Sequence, residues 1–325
     1  MTAIAVPDGV DAGITWHYGD PLGEQRVLAR GAGVIVRDNR DVLTVTGPDR
    51  LPWLHSIVSQ HMSELRDGDS TQSLVLSPHG HVEQHWWATE LAATVWIDTE
   101  PGQGADVLGY LNKMIFMKRV EPADVSDSHA VVTLAGPKAV EVLAAAGLPT
   151  PDRGRARALE AGFVRRDDED TYDLLVPRAA VTATVDAMVA GGAERVGAWA
   201  YEARRVERRE PRLGFETDHR TIPHEVGWIG VAVHLNKGCY RGQETVARVH
   251  NLGKPPRRLV LLHLAGESDE LPAAGTPVEL AGRTVGFLGT AVQHYELGPI
   301  ALAVIKRSLP DDAALTVVGA PVSVA

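Results

Sequence analysis

Asn236-Lys237-Gly238-Cys239-Tyr240-Arg241-Gly242-Gln243-Glu244-Thr245-Val246-Ala247-Arg248 is the most informative stretch of this chain. It sets a thiol between two glycines, with Lys237, Arg241 and Arg248 close in sequence. Glycine adopts backbone angles that other residues avoid and lets a ligand approach the main chain. Neighbouring cations favour thiolate over thiol. Gln243 and Glu244 suit the opening of a helix, where amide and carboxylate meet its positive end. Two readings stay open. Cys239 is a reactive thiol, or it is an inert residue buried in a turn, since free cysteine is among the most buried residue types.

Cys239 is the only cysteine in 325 residues, which excludes an internal disulfide and a Cys-based zinc site. At about 150 residues per domain, the length points to two or three domains. Apolar residues make up 44% of the chain and charged residues 23%, which rules out a disordered chain, a fibre or a coiled coil. The formal charge is −10, from 32 Lys+Arg against 42 Asp+Glu. An acidic surface repels phosphate backbones, so direct nucleic-acid binding is not expected. The start, MTAIAVPDGVDAGITW, has no basic n-region and carries Asp8 and Asp11, so it does not read as a signal peptide. No run approaches 18 apolar residues, so no membrane span is expected and the expected location is cytoplasmic.

Upstream, the first 30 residues read as an irregular lead-in. Val34–Val36 and Val42–Thr46 read as strands around a turn at Arg37–Arg40. Asp49 is placed to cap a helix whose apolar residues run from Leu51 to Leu65. Strands follow at Ser73–Leu76, Val82–Glu90 and Thr94–Asp98, with Pro78–His81 as a hairpin turn. A further helix carries Val107, Leu108, Leu111, Met114 and Ile115 on one face, with Lys118 and Arg119 in its last turn. The rhythm then recurs: strand Ala130–Leu134, helix Lys138–Ala146, strand Tyr172–Val176 and helix Ala179–Ala190. Residues 198–209 read as a charged helix. Residues 211–256 are rich in Gly, Pro and His, the kind of long loop that carries function. From Arg258 on, short strands alternate with Gly/Pro turns, as in a small β-barrel or sandwich.

KGCYRGQETVAR strongly resembles the signature K-G-C-Y-x-G-Q-E-x-x-x-R of the YgfZ family. These are folate-binding proteins related to the T-protein (aminomethyltransferase) of glycine cleavage and to mitochondrial iron–sulfur assembly factors. Arg205-Val206-Glu207, Arg220-Thr221-Ile222-Pro223-His224-Glu225, Leu134-Ala135-Gly136-Pro137-Lys138-Ala139, Gly275-Thr276-Pro277 and Arg283-Thr284-Val285-Gly286 are similar to further family segments. The resemblance covers most of residues 35–325. It departs at Trp53–Met62, where the family's Asn-Asp pair is replaced by Gln60-His61, and at Pro78-His79-Gly80-His81, which stands for a Q-G-R hairpin. The missing Asp weakens a catalytic aminomethyltransferase reading.

The resemblance implies an α+β fold, a three-domain cloverleaf of two ferredoxin-like units and a C-terminal β-barrel around a central channel. The expected divisions are a lead-in at 1–33, one domain from 34–124 with 198–256, a second at 125–197, and the barrel at 257–325. It implies tetrahydrofolate or a reduced folate derivative as cofactor. Glu207 would accept from the pterin ring, as a carboxylate can accept two parallel hydrogen bonds. Arg205, Gly238, Tyr240, Gly242, Gln243 and Glu244 complete the implied binding set. Cys239 would be the working thiol, positioned by Lys237 and Arg248. Iron–sulfur client or assembly proteins would be the partners of a monomer, and any effect on tRNA modification would be indirect. A folate-dependent aminomethyltransferase and a non-catalytic scaffold stand as alternatives.

Other groups read more plainly. His79, His81 and His85 follow H-x-H-x3-H but lack a tight ligand set, so no metal site is expected. Trp86-Trp87 reads as one buried ring and one near a surface. Arg204, Arg205, Arg208 and Arg209 read as a ladder with Glu202, Glu207 and Glu210. Without the resemblance, Glu207 itself reads as a solvated helix charge.

Overall fold

Strands rich in Val, Ile and Leu that are buried on alternate or both faces supply most of the chain's order. The structure, a computed structural model, describes residues 2–265 and 270–325. Residues 266–269 of the expected barrel therefore lie outside the described residues. The chain divides into two units, Met1–Ser73 with Gln84–Tyr201, and Leu74–Glu83 with Glu202–Ala325.

The first unit is α+β. One sheet runs in the order Ala156–Ala158, Phe163–Asp168, Thr171–Pro177, His129–Ala135, Gly33–Arg37 and Glu194–Arg195. It is antiparallel except for its last pair. Helices Ala139–Ala145 and Val181–Ala190 cover it, with Val142, Leu143, Val185 and Met188 packed on Val34, Val132, Leu134 and Leu174. The other sheet has the order Ser70–Leu76, Val82–Leu91, Thr94–Thr99, Asp41–Thr46 and Glu121–Asp124, of which residues Leu74–Glu83 are counted with the second unit. Strands Gly33–Arg37 and Asp41–Thr46 are therefore neighbours in sequence but lie in different sheets.

A buried polar knot ties these sheets together. The Arg165 guanidinium is bonded to Asp98 of one sheet and, at 2.7 Å, to Asp173 of the other. Its Nε donates to Asp167 at 2.8 Å, and the Trp87 ring lies 4.7 Å from its Cζ. Arg40 pairs with Asp98 and Glu100 at 2.9 and 3.0 Å. Burial pushes the Asp167 carboxyl up, whereas Arg165 and Arg37 overcome burial and hold Asp173 low. Trp86 is fully buried and Trp87 half-buried, matching the reading of the pair.

Several local expectations need correction. The lead-in contains a helix, Pro21–Arg30, with proline in its first turn and Asp20 accepting from the Gly23 N–H at 2.8 Å. The helix after Asp49 covers only Arg50–Ile57. Asp49 does not cap it, because the carboxylate is taken by Arg119, through the backbone N–H at 2.9 Å and the guanidinium at 3.1 Å. The helix Gly104–Lys113 stops before Lys118 and Arg119, so Lys113 alone is the cation in its last turn.

In the second unit the expected barrel is present and closed. Its strand order is Arg257–His263, Gly298–Lys306, Arg283–His294, Pro277–Leu280, Leu315–Val317 and Ala320–Val324, and Leu262 pairs back with Val324. Its interior is filled by Val260, Leu262, Val278, Leu288, Ala303 and Ile305. A bulge interrupts the longest strand between Leu288 and Ala291.

Candidate functional site

The Asn236–Arg248 stretch becomes a loop running into the helix Gln243–Leu252, so Gln243 and Glu244 do open a helix. Gly242 sits at its N-cap with φ +82, a left-handed angle that disfavours any residue with a Cβ. Space imposes the same choice. A Cβ on Gly242 would lie 2.5 Å from the Ser77 carbonyl and 3.0 Å from Gly80 Cα. Reciprocally, a Cβ on Gly80 (φ +78) would lie 2.8 Å from Thr245 Cβ. The Pro78–His81 turn and the start of the helix therefore interlock through two glycines. Glu83, just past the turn, bonds Arg241 at 2.8 and 3.3 Å.

Inside the loop, Gln243 Nε2 donates to the Lys237 carbonyl at 3.2 Å and the Gln243 N–H donates to the Tyr240 carbonyl at 3.2 Å. These two bonds close a short ring of chain that holds Gly238 and Cys239 out at the surface, where both are exposed. Tyr240 turns inward, 8% exposed, onto Leu74, Leu76, Val82 and Val246. Burial pushes its hydroxyl up to about 12, and among the described residues that oxygen has no hydrogen-bond partner. Lys237 is 7% exposed, with Nζ 5.0 Å from the Tyr240 ring centroid. Burial lowers its pKa to about 8. An amine against an aromatic face gains cation–π attraction yet loses hydration. Glu244 and Arg248 lie on exposed positions of the helix. Of the three cations near the thiol in sequence, Lys237 is buried under Tyr240, Arg241 is paired with Glu83, and Arg248 is exposed.

A second cluster surrounds Arg205 on the helix Ala198–Glu207. Its guanidinium bonds Glu202 at 2.7 and 3.1 Å, Glu216 at 3.1 Å, the Glu210 carbonyl at 2.6 Å, and Thr290 Oγ1. Five donors thus meet five protein contacts. Glu216 is fully buried and also accepts from the backbone N–H groups of Arg212 and Thr290, both at 2.7 Å. Thr290 lies in the barrel bulge. A Cβ on neighbouring Gly289 would lie 2.5 Å from the Glu216 carboxylate. Two residues on from Arg205, Glu207 stays 49% exposed, its nearest ion-pair partner being the buried His294 ring at 3.6 Å. Its carboxylate therefore keeps acceptor capacity that Glu202 and Glu216 have spent.

The residues alone place Gly80 in a hairpin turn, but they do not mark Gly80, Glu83 or Glu216 as part of this site. Glu216 left no signal in composition or spacing. The contact of Gly80 with the helix start at Gly242 and Thr245 joins segments far apart in sequence and leaves no local signal. Among the described residues no group of His, Cys, Asp and Glu is arranged to hold a metal ion. His85 is buried and bonded to Gln72 Oε1 at 2.9 Å.

The chain is similar to several known proteins. The chain is 26% identical over 309 residues to an aminomethyltransferase of Herpetosiphon aurantiacus, covering 89% of this chain and 83% of that one. It is 26% identical over 176 residues to the tRNA-modifying protein YgfZ of Vibrio atlanticus, covering 52% and 53%. A chloroplastic protein of Arabidopsis thaliana is 25% identical over 271 residues, and the chain spans 61% of its length. The crystal structure of glycine cleavage system aminomethyltransferase T from Bartonella henselae superposes with a TM-score of 0.87 at 19% identity, covering 99% of this chain and 92% of that one. The fold is thus that of the aminomethyltransferases, with its closed six-strand barrel. Residues 22–237 match the GCVT N-terminal domain family, and the chain belongs to that family.

Proposed function

We propose that this chain is a tetrahydrofolate-binding protein of the YgfZ kind, supporting iron–sulfur cluster assembly or repair through the Cys239 thiol. The observation that carries the reading is the presentation of that thiol. A loop closed by Gln243 and anchored by the Gly80–Gly242 interlock holds Cys239 exposed beside a buried Lys237–Tyr240 pair. An inert cysteine packed in a turn would be buried. A single thiol cannot hold a cluster, so a partner protein supplies the remaining ligands.

For folate, Glu207 offers a carboxylate with free acceptor capacity for an aminopyrimidine edge. Arg205, saturated by protein groups, positions the end of that helix. A bound reduced folate would supply one-carbon chemistry. Gly238, Tyr240, Gly242, Gln243 and Glu244 would set the adjoining wall, and Arg248 would serve the thiol from the helix. The relative named YgfZ supports this reading over half the chain, and relatives named aminomethyltransferase support the enzyme alternative over more of it. Gln60-His61 in place of Asn-Asp favours the first.

Calorimetric titration with tetrahydrofolate tests the cofactor. Heat and a thermal shift are expected, and neither at millimolar ligand would sink the folate reading. A turnover assay with an ammonia donor and folate separates transferase from assembly factor. Cys239→Ala and Cys239→Ser in a strain lacking the native gene should both fail to restore iron–sulfur enzyme activity. Full rescue by both would make the thiol structural.

A further inference from the structure

The second unit holds a cavity of about 1080 Å³, and none of its lining residues belongs to the Cys239 loop. Its size meets the upper range of small-molecule sites, about 1,000 Å³. Ile222, Pro255, Val285 and Phe287 give it an apolar floor. Arg220, Lys254, Lys306 and Arg307 stand around it, all exposed. Two carboxylates also line it, Asp218 and Glu225, but Arg257 consumes both. Its guanidinium bonds Asp218 at 2.7 and 3.0 Å and Glu225 at 2.8 and 2.7 Å. Among the described residues, none of the four outer cations forms an ion pair.

On a chain of net charge −10, solvated surface cations would ordinarily be interspersed with free carboxylates. Here like charges converge on one concavity whose carboxylates are already neutralised. Such a cleft with low-dielectric walls focuses its field on an entering anion. The apolar floor adds a requirement that a bare ion does not meet.

We propose that this cavity binds a small molecule carrying two or more anionic groups, phosphate or carboxylate, on a flat apolar body. The cations hold the anionic groups at the mouth, and the body lies on Phe287, Val285 and Ile222. The proposal is independent of the folate reading, since it uses neither Glu207 nor Cys239.

The test is calorimetry on the full chain at low salt with three probes: adenosine triphosphate, benzene-1,2,4-tricarboxylate and inorganic tripolyphosphate. At least one body-bearing probe should bind tenfold or more tightly than tripolyphosphate, and the tighter of the two tells phosphate from carboxylate. The double variant Lys254→Ala/Lys306→Ala should weaken that binding tenfold or more with an unchanged melting temperature. Arg307→Ala should weaken it as well, and Lys113→Ala, exposed in the first unit, should not. Absence of heat with all three probes at millimolar concentration overturns the proposal. So does equal binding of all three, or wild-type affinity in the double variant. Loss of Cys239-dependent rescue has no bearing on these readouts, so the two proposals fail separately.

Discussion

Replacing Gly242 by alanine tests whether the thiol loop is held by the glycine interlock. The left-handed angle at φ +82 costs a residue with a Cβ about 1–2 kcal/mol. The new methyl would also sit 2.5 Å from the Ser77 carbonyl, a backbone atom that cannot rotate away. Relieving that contact requires the hairpin turn and the helix start to part, and forced overpacking of this kind costs about 1–3 kcal/mol. Gly242→Ala should therefore lose about 3 kcal/mol in urea denaturation. Gly80→Ala carries its own left-handed angle and the 2.8 Å approach to Thr245 Cβ. Once either change has separated the two segments, the second clash is already relieved. The double variant should thus lose less than the sum by about 1 kcal/mol or more. Alkylation of Cys239 should change rate in step, because the loop that presents it is no longer anchored. A Gly242→Ala loss below about 0.5 kcal/mol, with additive behaviour in the double variant, would refute the interlock.

Glu216→Ala leaves Arg205 buried with one carboxylate fewer and two backbone N–H groups without an acceptor, so a loss of about 3–5 kcal/mol is expected by denaturant titration. Glu216→Gln, which keeps acceptor oxygen in place, should lose less. Burial lowers the His85 pKa from 6.5 to about 4, so on acidification the unfolded chain takes up the proton first. Stability should fall as pH drops from 6.5 towards 4, by up to about 3 kcal/mol at roughly 1.4 kcal/mol per pKa unit, and His85→Gln should remove that part of the slope. Lys237 runs in the basic range: its folded pKa of about 8 lies below the ordinary 10.5, so the unfolded chain holds the proton more tightly between them. Stability should therefore rise as pH climbs from 8 to 10.5, and Lys237→Met, which keeps an apolar stem on Tyr240, should flatten the rise in thermal melts.

Much of the secondary structure was legible in the residues. Val131, Val132 and Leu134, the runs LVLLHL and IALAVI, and the opening of a helix at Gln243 all appear where periodicity and β-branching place them. These signals are local, since side-chain alternation and turn chemistry act within a few residues. The Cys239 loop was legible for the same reason, as glycine, thiol and cation all lie within one short stretch. The lead-in helix was not, because Pro21–Arg30 buries Glu24, Gln25 and Leu28 rather than an apolar stripe.

What the sequence by itself determined is many of the strands and helices, the α+β class and the stretch that presents the thiol. Only the tertiary structure decided the partners. Asp49, a plausible cap by position, is claimed by Arg119 seventy residues on. Arg241 meets Glu83, Arg165 meets Asp98, and Arg205 spends every donor on protein groups, while Glu207 beside it stays half-open. A charged side chain carries no mark of its future counter-charge. Desolvation makes a buried charge untenable unless a partner is near, and which partner is near depends on how distant strands and helices pack.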